Sequence, residues 1–133
     1  MSSTLAEEDI EYHWLDALGG HRKRSKDDPP SPNRGIEDES FRHYADYMST
    51  DGFREGVARS VEIAQARRAT IMCAEGDHRH CHRQFLCDHL LATGIAVQHI
   101  LPSGEIKPHK MTAGAKVVGG TVTYPGQPTL FDL

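Results

Sequence analysis

The stretch Cys73-Ala-Glu-Gly-Asp-His-Arg-His-Cys-His-Arg83 gathers two cysteines, three histidines, two arginines, a glutamate and an aspartate in eleven residues. Residue types of this kind support three chemistries. Cys73, at a strand end, is either a small buried packing residue or a thiolate, held by loop N–H groups and by Arg79, Arg83 or His82. Cys73-x5-Arg79 has the spacing of a cysteine-phosphatase phosphate loop, but Glu75 and Asp77 would repel a dianion there. Cys81 opens a helix, where the dipole acidifies a thiol. Cys73, Cys81 and His82 (or His78 or His80) form a candidate transition-metal set, zinc being the expected ion. Their Cys-x7-Cys spacing is longer than the Cys-x2-4-Cys of common zinc motifs. His99 and His109 are candidates to add ligands from across the crevice. Glu75 is either an acid/base or the ion-pair partner of Arg83, which otherwise serves as an anion clamp. Cys87 reads as packing, and His89 as a surface or half-buried residue.

The flanking segments must position this loop. Ala69-Thr-Ile-Met72 reads as a buried strand ending at Cys73, and Gln84 to Ala92 as a helix stopped by Thr93-Gly94. Ile95 to Leu101 reads as the next strand. Strand, helix and strand together predict a parallel pair with a right-handed crossover, whose carboxyl edge opens a crevice at the loop. Upstream, Ile10 to Leu15 alternates like a short strand and Leu18-Gly-Gly20 breaks it. Residues 27–35 form a proline-rich loop. Phe41, Tyr44, Ala45 and Met48 line one face of a helix over 39–48. Thr50 or Asp51 caps a second helix, Phe53 to Arg67, with a buried stripe of Phe53, Val57, Val61 and Ala64. Residues 113–126 read as a weak strand or linker.

The chain has 133 residues, enough for one domain with a core, and a net charge of -4 that gives no general reason for nonspecific nucleic-acid binding. The basic cluster at 21–26 nevertheless makes Arg22, Lys23 and Arg24 candidate anion contacts for a nucleotide or nucleic acid. Three cysteines, no long apolar run and no signal-peptide layout lead us to expect a cytoplasmic protein with free thiols and no membrane span.

Several pieces occur here in a familiar order: Leu18-Gly-Gly20 before a basic residue, Phe41-x-x-Tyr-Ala-x-Tyr-Met48, Cys73-Ala-Glu75 with Cys81-His-Arg83, and His99-Ile100 followed by His109. Over about residues 10–112 the series resembles the domain-of-unknown-function family 488, whose specific signature is Cys-x-Glu-x5-Cys-His-Arg. The resemblance implies an α/β, Rossmann-like domain built on a mostly parallel small sheet, and brings no settled activity. It also implies that the usual N-terminal third is absent, leaving a sheet edge open to a partner strand or a second copy.

Past that domain (1–112) lies a tail, 113–133. Its Gln127-Pro-Thr-Leu-Phe131 resembles the short peptide by which bacterial replication and repair proteins dock on the sliding clamp, with Gln127, Leu130 and Phe131 as the contacts. Two functions are expected from the sequence. One is an enzyme acting on a phosphorylated or nucleotide-like substrate in nucleic-acid maintenance, through Cys73, Glu75, Cys81, His82, Arg83 and His99. The other is a non-catalytic, metal-stabilised binding module recruited to the clamp by its tail.

Overall fold

The structure, a computed structural model, describes residues 7–19, 22, 30–72 and 81–126. The expectations placed on Cys73, Glu75, Lys23, Arg24, Gln127, Leu130 and Phe131 lie outside the described residues.

Among the described residues three helices carry the core. Helix α1 spans Glu39–Tyr47, and its start is fixed by Asp38, whose side chain accepts from the Phe41 N–H at 3.1 Å. Helix α2 spans Asp51–Ala66 and is capped by Thr50, which accepts from the Phe53 N–H at 3.3 Å. Helix α3 spans Arg83–Ala92. It ends in a Schellman turn: Gly94 has φ +91°, Ile95 N–H reaches Leu90 C=O, and Gly94 N–H reaches Leu91 C=O. The apolar face read for α1 is buried as expected, with Tyr44, Ala45 and Met48 in the core and Phe41 packed against it. The α2 stripe holds at Phe53, Val57 and Val61, whereas Ala64 is exposed.

A 3₁₀ turn at Asp16–Leu18 packs on α2, so closely that a Cβ on Gly56 would sit 2.9 Å from the Ala17 side chain. Tyr44 and Tyr47 donate their hydroxyls to the Leu18 and Ala17 carbonyls.

The sheet differs from the expectation. Among the described residues there is no Rossmann-like parallel sheet; their strands form two separate antiparallel hairpins. Strand β1 (Gln98–Ile100) pairs with β2 (Ile106–Pro108), and β3 (Lys116–Val118) with β4 (Thr121–Thr123). The expected strand over 69–72 is irregular and exposed, so the described residues form no crossover unit. The physical reason is pairing. Ile95 to Leu101 turns back at once, with Leu101 N–H bonded to Glu105 C=O and Gly104 at φ +87°. A short turn closes a ladder at lower entropic cost than a crossover, by about 1–2 kcal/mol. Residues 10–15 likewise form no strand, and Ile10, Tyr12 and Trp14 are exposed. The segment 113–126 is a true hairpin, turned by Gly119 and Gly120, both at positive φ.

Candidate metal centre

In β1–β2 the register places His99 opposite Lys107, and the His109 N–H extends the ladder to the Val97 carbonyl at 2.9 Å. Val97, His99 and His109 therefore share one face of the hairpin, with the two histidines diagonal to each other. That face is turned to α3. Ile100 and Ile106, on the other face, are 62% and 60% exposed.

The two imidazoles meet, His99 Nε2 lying 2.6 Å from His109 Nδ1. On its far side His109 Nε2 donates to Asp88 Oδ1, also at 2.6 Å. Asp88 is completely buried in α3, a position a carboxylate tolerates only when its oxygens are satisfied. They are: Tyr124 donates its hydroxyl to Oδ2 at 2.7 Å, and the Thr112 N–H donates to Oδ1 at 3.0 Å. Burial first, and the Asp88 carboxylate second, push the Tyr124 phenol pKa well above its ordinary value, so this donor keeps its proton.

One residue before Asp88, Cys87 completes the group. One ligand atom each from Cys87, His99 and His109 all lie within 4.8 Å of one another, and all three residues are buried. This buried cysteine–histidine–histidine group could hold a metal ion. A thiolate and two imidazoles are the donors that zinc and related ions take. Asp88 stands where a carboxylate behind a metal-binding histidine would orient its ring, holding the proton on Nε2 and leaving Nδ1 its lone pair toward His99. An ion held by both imidazoles would take the place of their mutual hydrogen bond.

Cys87 and His99 also line a cleft of about 240 Å³ between α3, the second half of α2, residues 69–71 and β1. Arg83, one turn before Cys87, lines it too. A larger cleft of about 910 Å³ lies elsewhere, beside α1 and the β3–β4 turn. Its cations are already engaged: Arg22 stacks 3.8 Å over the Tyr47 ring and bonds the Gly19 and Asp16 carbonyls, and Arg54 pairs with Asp51. His89 on its wall is held toward the neutral form by burial and by Arg54. The smaller cleft joins a cation to the metal-type group, so we place the candidate site there.

Of the residues singled out in the sequence, the structure brings His99 and His109 together and sets Arg83 beside His99 on the wall of the smaller cleft. Cys81 is buried and caps the entry to α3, its sulfur accepting from the Arg83 N–H at 3.4 Å. His82 packs its ring on Tyr44, centroids 4.9 Å apart. The metal-type group among the described residues is Cys87, His99 and His109; the expected set of Cys73, Cys81 and His82 includes Cys73, which lies outside those residues. Cys87 passed for packing because it sits in an apolar helix face. The missed signal was its neighbour: a carboxylate inside Phe85-Leu-Cys-Asp-His-Leu90 must find a donor.

Comparison with family models adds the lineage. The family described as "Domain of unknown function DUF488" matches residues 1–90. The chain belongs to the DUF488 family. The DUF488 match takes in α3 with Cys87 and Asp88, and ends before the hairpin that supplies His99 and His109. No curated protein and no solved structure matches the chain. Among the described residues no helix is long and apolar enough to cross a membrane.

Proposed function

We propose that this DUF488 protein is a metal-dependent enzyme, its ion being zinc or a zinc-like metal held by Cys87, His99 and His109. The observation that supports it is the convergence of those three ligands within 4.8 Å, two of them on a cleft wall. Three protein ligands leave a fourth position, the arrangement of catalytic rather than structural zinc. Such an ion supplies a Lewis acid that polarises a carbonyl or phosphoryl oxygen. The chain's own part is to hold the ligands: α3 fixes Cys87, the hairpin presents both imidazoles, and Asp88 orients His109.

A second reading has its own support. The centre is deeply buried, His99 and His109 being 6% and 7% exposed, and the hairpin turns its isoleucines outward. An ion there would clip the hairpin to α3, as in a metal-stabilised binding module. Gln127-Pro-Thr-Leu-Phe131 would then recruit the module to a sliding clamp in nucleic-acid maintenance.

Cobalt(II) substitution separates the two. A thiolate-to-cobalt absorption band that disappears in Cys87→Ser, and that shifts when azide is added, supports the enzyme. A band indifferent to azide favours the binding module, and no band at all removes both metal readings.

A further inference from the structure

We infer that the cleft beside Cys87, His99 and His109 is a phosphoryl-anion site, with Arg83 as the group that grips the anion. This rests on the metal-centre reading of the same cleft and names the class of molecule it takes.

Three observations carry it. The first is an unanswered donor. Among the described residues, Arg83 Nε is buried with no hydrogen-bond acceptor, and its guanidinium makes no ion pair. Buried N–H groups nearly always have a partner, and a permanently charged guanidinium needs one most. An acceptor that arrives with a ligand answers it.

The second is the composition of the wall. Polar groups lining the cleft include Arg83, Cys87, His99, Ser60, Thr70 and Gln98, and the described lining residues include no aspartate or glutamate. Asp88, the carboxylate of the centre, is taken up by His109, Tyr124 and Thr112. Among the described residues, a divalent ion and Arg83 together would exceed the Cys87 thiolate and Asp88 by one positive charge, a balance that favours an anion.

The third is size and shape. About 240 Å³ is below the roughly 300–1,000 Å³ of pockets that enclose drug-sized ligands. It suits a small oxyanion or the phosphorylated end of a larger molecule. A phosphoryl group has oxygens enough to meet a guanidinium fork and a metal ion at once, the pairing by which such groups are commonly clamped.

The test is calorimetric titration of zinc-loaded protein with inorganic phosphate, adenosine 5′-monophosphate and acetate, in wild type and Arg83→Gln. Phosphate is expected to bind once per chain and acetate far more weakly. Arg83→Gln should lose at least about ten-fold in phosphate affinity with zinc content unchanged. Phosphate should raise the thermal midpoint of wild type and leave that of the variant in place, which separates lost binding from lost folding. Tighter binding of the nucleotide than of phosphate assigns the cleft to a nucleotide end; the reverse assigns it to a smaller phosphorylated molecule or the free ion. Equal phosphate affinity in wild type and Arg83→Gln, acetate binding as well as phosphate, or no phosphate binding by zinc-loaded wild type overturns the inference and leaves the metal centre standing. If zinc does not bind, the metal reading fails on its own. Arg83-dependent phosphate binding by zinc-free protein then supports the anion site, and its absence overturns it.

Discussion

The two hairpins make an instructive pair. Both have three-residue strands and tight turns, and neither is long enough to stand alone in water. β3–β4 is fastened by apolar surface. Val122 and Tyr124 are buried, and the Tyr124 ring packs edge-on to Phe85 in α3, centroids 5.3 Å apart. β1–β2 is fastened by polar chemistry, through the line His99, His109 and Asp88. Apolar burial holds under most conditions. An imidazole and carboxylate line holds only while each donor meets its acceptor, and it is the same line that can exchange a hydrogen bond for a metal ion. Of two similar hairpins, the one held conditionally carries the two candidate metal-binding histidines. Tyr124 joins them: its ring belongs to the core and its hydroxyl to Asp88.

The comparison can be broken at Tyr124. Tyr124→Ala removes the ring from the core and a donor from Asp88, and should cost about 3–5 kcal/mol of stability in urea unfolding. A loss under about 1 kcal/mol would show that β3–β4 is not fastened by burial.

Asp88→Asn sharpens it at the other hairpin. The amide keeps the shape and loses the charge that orients His109. Metal affinity should fall about 10–100-fold, and stability by about 1–3 kcal/mol. Amide hydrogen exchange should quicken in β1–β2 before β3–β4. Equal acceleration in both hairpins would dissolve the distinction.

The smallest effect is expected on the outer face of β1–β2. Ile100→Thr and Ile106→Thr keep a β-branched side chain at exposed positions, and each should change stability by less than about 0.5 kcal/mol. A larger loss would mean that apolar contacts also secure this hairpin.

What the sequence could and could not disclose follows from the range of each interaction. Helix α1 is legible because Phe41, Tyr44, Ala45 and Met48 fall on one face. The start of α2 is legible in Thr50 and the end of α3 in Gly94, since caps act within a few residues. The sheet was not legible. Ala69 to Met72 is apolar and looks like a buried strand, but a strand needs a partner, and none of its own residues says whether one exists. Ile71 and Met72 are instead 40% and 58% exposed. His99 and His109 were visible as candidate ligands. Their meeting with Cys87 was not, because it depends on a ladder register and on α3 packing beneath it. Asp88 shows the boundary well: its sequence context says that it must have donors, and only the fold says that they are His109, Thr112 and Tyr124.

The central claim is that Cys87, His99 and His109 hold one metal ion. Its most direct test is metal content by mass spectrometry on untagged protein, incubated with zinc and dialysed. We predict one zinc per chain in wild type and in the control Cys81→Ser, and none retained in Cys87→Ser, His99→Ala or His109→Ala. Zinc kept by those three variants, or not taken up by wild type, would contradict the account.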